Sequence, residues 1–210
     1  MKWITCCVGP IHENCYLLEN EAREALIIDP GAEYENIREQ INRRQLRPLA
    51  VLLTHAHFDH IGALDQTRDR WKIPAYLHKQ ESDWPANPEK NGSAYFTFAA
   101  DIHARPAEHI LTEEGLLQIG NFSFHVLETP GHSPGGVSYY FEGDKVVFSG
   151  DALFKRSIGR SDGYGADGEV LLNSIREKLM RLPAETIVCP GHGQETSIGE
   201  EIANNPFLRQ

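Results

Sequence analysis

Three histidines and an aspartate stand within six residues in the segment His55-Ala56-His57-Phe58-Asp59-His60. Three further side chains of the same chemistry follow: His132 in Pro130-Gly131-His132-Ser133-Pro134-Gly135-Gly136, Asp151 in Ser149-Gly150-Asp151, and His192 in Pro190-Gly191-His192-Gly193. Imidazole and carboxylate together suit divalent and transition metals. Five histidines and two aspartates exceed what one tetrahedral ion requires. In extended chain His55 and His57 project to the same side. A turn after them brings Asp59 and His60 to a neighbouring position, so one short loop can feed two ions. No cysteine stands among the clusters, which disfavours a structural zinc site. The isolated histidines His12, His78, His103, His109 and His125 are expected as polar surface residues.

These clusters need elements that end where they begin. Trp3 to Val8, Cys15 to Glu19 and Ala25 to Ile28 read as strands, and Asp29-Pro30-Gly31 stops the third. Tyr34 to Arg44 has helical spacing, with Ile37 and Ile41 on one face. Leu49 to Leu53 is a continuous apolar run of strand length, as in a strand covered on both faces. It leads directly into the histidine-rich segment. Residues 61–71 form a candidate helix with Ile61, Leu64 and Trp71 inward. Residues 79–115 read as a long irregular segment with a short helix, rich in Pro and aromatics, including Tyr95-Phe96-Thr97-Phe98. Strands resume at Leu116 to Ile119, Phe122 to Leu127, Gly136 to Phe141 and Lys145 to Phe148. Glu169 to Leu182 is a helix with Val170, Leu171, Ile175, Leu179 and Leu182 as its stripe. Thr186 to Cys189 is a last strand. The order is mixed α/β, and no repeat or linker interrupts it, so residues 1–210 are expected to form a single domain.

The chain carries 30 acids against 20 Lys and Arg, a formal charge of −10. Such a surface repels phosphate backbones, so no nucleic-acid partner is expected. The apolar stretch at the N-terminus is too short and broken for a signal peptide, and no run of about 18 apolar residues exists. A cytoplasmic protein without a membrane partner is the expectation. Cys6, Cys7, Cys15 and Cys189 show no framework spacing and are expected to be reduced, mostly buried thiols.

The motifs resemble the metallo-β-lactamase superfamily, from Asn14-Cys15-Tyr16-Leu17-Leu18 and Asp29-Pro30-Gly31 to Pro190-Gly191-His192-Gly193. Within it, Ser149-Gly150-Asp151-Ala152-Leu153-Phe154, the run Ile158-Gly159-Arg160-Ser161-Asp162 and the ending Asn204-Asn205-Pro206-Phe207-Leu208 look like the short bacterial glyoxalase II type, the hydroxyacylglutathione hydrolases. The resemblance implies an αββα sandwich of two mixed sheets flanked by helices. It implies that His55, His57 and His132 hold one metal and that Asp59, His60 and His192 hold the other. Asp151 would bridge them, and Asp29 would support the site from behind, besides forming the turn before Pro30. Two divalent ions are implied, zinc first, with iron or manganese as alternatives.

The implied reaction is hydrolysis of a small-molecule thioester, S-lactoylglutathione or another hydroxyacylglutathione, by a hydroxide bridging the two ions. Two cations about 3.5–4 Å apart lower the pKa of such a water toward neutrality. Asp59 would orient it or accept its proton. A thiolate, with a pKa near 8.5, leaves without acid assistance. The long-form enzymes have an additional C-terminal helical domain with glutathione contacts, and this chain stops about where it would begin. Lys155, Arg160 and Tyr95 to Phe98 are candidate substrate contacts; Arg160 and Asp162 also suit a pair with each other. The alternative is a mononuclear-iron persulfide dioxygenase of the same superfamily. An RNA-processing nuclease is disfavoured by the acidic charge, and an exported lactamase by the N-terminus.

Overall fold

The computed structural model describes residues 1–96 and 100–209; Thr97 and Phe98 of the aromatic run lie outside the described residues. The chain forms two compact units, residues 1–112 with 118–122 and residues 113–117 with 123–210.

The first unit holds β1 (Lys2–Val8), β2 (Glu13–Glu19), β3 (Glu24–Ile28), β4 (Arg47–Leu52), β5 (Ala75–His78) and β6 (His109–Leu111) in one sheet, in chain order. The first three strands pair antiparallel and the rest parallel. Cys15 and Leu17, Ala25 and Ile27, Val51 and Leu53, and Ala75 and Leu77 all point into one apolar core. This is the period of two that a strand imposes. The alternate residues, among them Leu18, Leu26, Ala50 and Leu52, are buried as well. That double burial is why β4 reads as an unbroken apolar run.

Helix α1 (Tyr34–Arg44) has the expected bounds and buries Ile37 and Ile41 in the same core. The helix expected over 61–71 is two helices, α2 (Phe58–Ile61) and α3 (Leu64–Trp71). The break has a local cause: the Ala63 N–H turns away to donate to the Pro30 carbonyl, 2.9 Å away. Of the segment 79–115, read as irregular with a short helix, the described residues hold that helix but also two 3-10 turns, strand β6 and, at Gly115, the start of a further strand. A 3-10 turn (Lys79–Glu81) precedes α4 (Pro88–Asn91), whose first N–H groups are capped by the Asn87 side chain, and a second 3-10 turn (Ser93–Tyr95) follows. Buried Asn91 donates to the carbonyls of Ile102 and Trp84, at 2.9 and 3.3 Å. His78, expected at the surface, is only 3% exposed, because β5 and the turn after it run through the core.

The second sheet has the order β14-β13-β10-β9-β8-β7, comprising β7 (Gly115–Ile119), β8 (Phe122–Glu128), β9 (Val137–Phe141), β10 (Val146–Gly150), β13 (Ile187–Pro190) and β14 (Thr196–Ser197). It too is mixed, with β10 and β13 parallel and β8–β9, β9–β10 and β13–β14 antiparallel. A ribbon of β11 (Leu153–Phe154) and β12 (Ser157–Ile158) follows β10. Helix α5 (Gly168–Glu177) is capped by the Asp167 carboxylate and gives way to a 3-10 turn (Leu179–Arg181), so it ends before Leu182. Leu171 and Ile175 form its buried face, packed with Leu179 of the turn and with Val147, Val188 and Ile198. Val170, expected in the stripe, is 40% exposed, since it sits about 100° around the helix from Leu171.

Helix α6 (Ile198–Asn204) secures the ribbon. Its buried Glu201 carboxylate accepts from Arg156 N, Thr196 Oγ1 and Asn205 Nδ2, and Asn205 also donates to the Ser157 carbonyl. The Asn204 to Leu208 ending therefore holds the ribbon that follows Asp151. No helix among the described residues is long and apolar enough to cross a membrane.

All four cysteines are free thiols, and Cys7 alone of the four is exposed. Burial pushes the Cys6 thiol up to about 11, with Arg44 pulling it partly back, and also raises the Cys15 and Cys189 thiols. A maleimide applied to native protein should therefore label Cys7 only, with the other three reacting after denaturation; peptide mapping of the adducts checks this.

Candidate metal centre

Every expected donor cluster lies just past a strand end, where the backbone is released to turn. His55 to His60 follow β4, His132 follows β8, Asp151 follows β10 and His192 follows β13. The first unit brings together His55, His57, Asp59 and His60; the second brings together His132, Asp151 and His192.

In the first unit the organising group is Asp29, held with φ +48° after β3. Its Oδ1 accepts from Thr54 N at 2.7 Å, and its Oδ2 accepts from Thr54 Oγ1 at 2.5 Å. His60 Nδ1 lies 2.9 Å from the same Oδ2, and His55 Nδ1 lies 3.0 Å from Thr54 Oγ1. Since the Thr54 hydroxyl donates to Asp29, its oxygen accepts from His55. Both imidazoles thus carry their proton on Nδ1 and leave the Nε2 lone pair able to accept a metal. Donor atoms of Asp29, His55 and His60 all lie within 4.8 Å of one another. Hydrogen bonds among the three account for that closeness.

The other faces of these rings are set by packing. The His55 ring stands edge-on to His57 at 4.7 Å and tilted against His60 at 4.1 Å, between centroids. His60 Nε2 lies 3.4 Å from Asp59 Oδ2. Two donors about 2.0–2.2 Å from one tetrahedral ion stand about 3.3–3.6 Å apart, so this pair fits a shared ion. The turn at Gly31 is pressed against α2: a Cβ there would sit 1.6 Å from the Asp59 carbonyl oxygen and 2.6 Å from the buried Glu13 carboxylate. Only glycine lets the Asp29 turn approach this closely.

The second unit shows the same construction. His132 Nδ1 lies 2.8 Å from the Arg160 carbonyl and donates to it, which directs Nε2 to the other side. His132 Nε2 and His192 Nε2 lie 3.6 and 3.7 Å from one oxygen, Asp151 Oδ2. Those spacings exceed a hydrogen bond and fit donors around bound cations. Gly191 N donates to the Gly150 carbonyl at 2.8 Å, tying the two donor loops together. A Cβ at Gly159 would stand 1.9 Å from the Asp151 carbonyl and 3.1 Å from His132 Nδ1, so the chain after Asp151 also needs glycine.

Beside these donors an open cleft of about 670 Å³ is lined by Ile158, Arg160, Ser161, Asp167, Leu172 and Phe207. Arg160 Nε pairs with Asp162 Oδ1 at 2.7 Å, as expected, and holds the Asp162 carboxyl below its ordinary value. Lys155 donates to Gln194 at 2.9 Å. Sequence reasoning did not single out Thr54, whose only signal was its place beside the motif. The Arg160 carbonyl, a backbone acceptor, had none.

A family model described as the Metallo-beta-lactamase superfamily matches residues 8–192. The "Probable metallo-hydrolase YqgX" of Bacillus subtilis is 50% identical over 99% of this chain and 98% of its own length. The "Hydroxyacylglutathione hydrolase GloC" of Haemophilus influenzae is 35% identical over 96% of this chain and 95% of its own. A crystal structure of BLEG-1 B3 metallo-beta-lactamase superposes with a TM-score of 0.97 at 51% identity, covering all of both chains. One of TTHA1623 in a di-iron-bound form gives 0.87 at 41%, covering 98% of this chain and all of the other. The α/β fold, with mixed sheets flanked by helices, is the one these matches share.

Replacing Thr54 with Val removes the hydroxyl between Asp29 and His55 with little change in volume. Metal affinity, measured by competition with a chromophoric chelator, should fall about 10–100-fold. Unchanged affinity would show that His55 holds its ring without the hydroxyl.

Proposed function

The chain belongs to the metallo-beta-lactamase superfamily of metal-dependent hydrolases, and from that premise we propose that it is a binuclear hydrolase of glutathione-linked thioesters. The observation that carries this reading is Asp151, one of whose oxygens stands beside both His132 Nε2 and His192 Nε2. A carboxylate so placed suits a bridging ligand. In this reading residues 1–210 act as one cytoplasmic domain. His55, His57 and His132 would hold one ion, Asp59, His60 and His192 would hold the second, and Asp151 would be shared by both. Zinc is the proposed metal. Iron is the alternative supported by the di-iron form of TTHA1623, and manganese also suits the donor set.

When bound, such an ion pair supplies a water of near-neutral pKa and a Lewis acid for the thioester carbonyl. The chain's own groups do the rest. Asp59 orients the attacking water and takes up its proton. The Nδ1 hydrogen bonds of His55, His60 and His132 fix their rings before substrate arrives. The leaving thiolate needs no acid. The cleft beside Arg160 accepts the thiol portion, with the guanidinium facing its carboxylate. The name of the Haemophilus relative supports a hydroxyacylglutathione as substrate. A second reading, β-lactam hydrolysis, is favoured by the 51% identity to BLEG-1 B3 metallo-beta-lactamase.

One panel separates the readings: glutathione thioesters, coenzyme A thioesters and a chromogenic β-lactam, beside metal analysis and an oxygen electrode. The expected result is two metals per chain, thioester turnover preferring glutathione, and no oxygen uptake. One iron per chain with thiol-dependent oxygen uptake would instead identify a persulfide dioxygenase. Chelation should abolish turnover and added zinc restore it. Asp151→Ala and His57→Ala should each lower turnover by roughly 100-fold or more and reduce bound metal. Full activity in either variant would sink the assignment.

A further inference from the structure

The segment 79–96 supplies none of the proposed donors, yet it packs directly behind them. Glu81 lies in the 3-10 turn after β5 and is fully buried. Its Oε2 accepts from the backbone N–H of Ala56 at 2.6 Å, between His55 and His57. Trp84 is 2% exposed, and its ring lies 5.7 Å from that of His57, tilted by 38°. Phe96 lies 4.9 Å from Phe58. Three consecutive positions of the donor loop, Ala56, His57 and Phe58, are therefore each gripped by a different residue of one segment.

These grips suit positioning. Residues 53–57 belong to no helix or strand, so their backbone needs partners from elsewhere. A buried carboxylate bonded to an N–H is a strong, directional anchor for the turn between the two histidines. An aromatic face against His57 fixes the plane of the imidazole. Asn91 in turn ties the Trp84 carbonyl to that of Ile102, so the segment presents a fixed surface.

We propose that Glu81 and Trp84 are positioning residues that hold the His55–His57 loop in its ion-binding geometry, and that Trp84 emission reports the occupancy of His57. The inference rests on His57 being a metal ligand, part of the function proposed above, and does not depend on the substrate.

The test is a Co²⁺ titration of the full-length apo chain, following tryptophan emission and cobalt d–d absorption together. The chain has three tryptophans, Trp3, Trp71 and Trp84. Wild type should show saturable quenching that tracks the d–d band. Trp84→Phe should keep the d–d band, lose most of the quenching and bind about 10-fold more weakly, whereas Trp3→Phe and Trp71→Phe should quench as wild type. Glu81→Ala should weaken cobalt affinity about 10–100-fold. Glu81→Gln, whose amide oxygen still accepts the Ala56 N–H, should recover most of that loss. Circular dichroism and thermal melts establish folding; if Glu81→Ala does not fold, Glu81→Gln and Trp84→Phe decide alone. Undiminished quenching in Trp84→Phe, wild-type affinity in folded Glu81→Ala, or affinity in Glu81→Gln as poor as a 10–100-fold loss would overturn the inference. Wild type that binds no cobalt overturns it together with the ligand assignment. A chain that gives the expected cobalt responses but hydrolyses no thioester overturns the substrate assignment alone.

Discussion

The Asp29 carboxylate is the contact on which the donor loop of the first unit depends. It is buried, and a buried carboxylate is costly unless its oxygens are fully hydrogen-bonded. Here Thr54 N, Thr54 Oγ1 and His60 Nδ1 all converge on it. One charge thereby joins the end of β3 to the end of β4, fixes the tautomer of His60 directly and sets that of His55 through a hydroxyl. The left-handed backbone at Asp29 and the Cβ-free approach at Gly31 follow from the same requirement, because the turn must lie against α2. A structural and a functional role for Asp29 are thus one role.

In the second unit a different acceptor has the same effect on His132. His132 is oriented by a main-chain carbonyl, that of Arg160, and the chain reaches that carbonyl only because Gly159 passes close to Asp151. The β11–β12 ribbon connects Asp151 to Gly159, and Glu201 and Asn205 hold its turn. The narrow sequence likeness to the glyoxalase II type lay in these two stretches, after Asp151 and at Asn204 to Leu208. The structure shows that they form one mechanical unit.

Much of this was legible in the amino-acid order, for identifiable reasons. Buried parallel strands announce themselves as apolar runs, so β4 was visible, and amphipathic spacing marked α1 to its ends. The donor residues stood out because three histidines and an aspartate rarely crowd six positions without a shared task. What escaped were elements too short for a period to develop, β5, β6, β11, β12 and β14, and α6, a seven-residue helix with little apolar stripe. Helix α5 was overrun because its apolar spacing continues through a 3-10 turn, where backbone hydrogen bonding changes and side-chain spacing barely does. Glu81 and Trp84 escaped for a stronger reason. Their partners are a backbone N–H and a ring 25 or more residues away, and neither contact leaves a pattern along the chain.

The histidine-rich loop could not hold its own shape. Its only regular element is α2, a single turn of four residues, and an isolated turn is far below the length at which a helix is stable in water. The loop is therefore held from outside: Asp29 bonds His60 and, through Thr54, His55, Glu81 bonds the turn between His55 and His57, and the Trp84 ring lies beside that of His57. This distribution has a mechanical consequence. The same contacts that order the loop in the apo chain remove the conformational entropy that metal binding would otherwise have to overcome. In the proposed reading, donor identity decides that metals are bound, and bracing decides how tightly. Neither decides what is hydrolysed, and in the proposed reading that choice falls to the residues around the cleft, where Arg160, Ser161 and Phe207 stand.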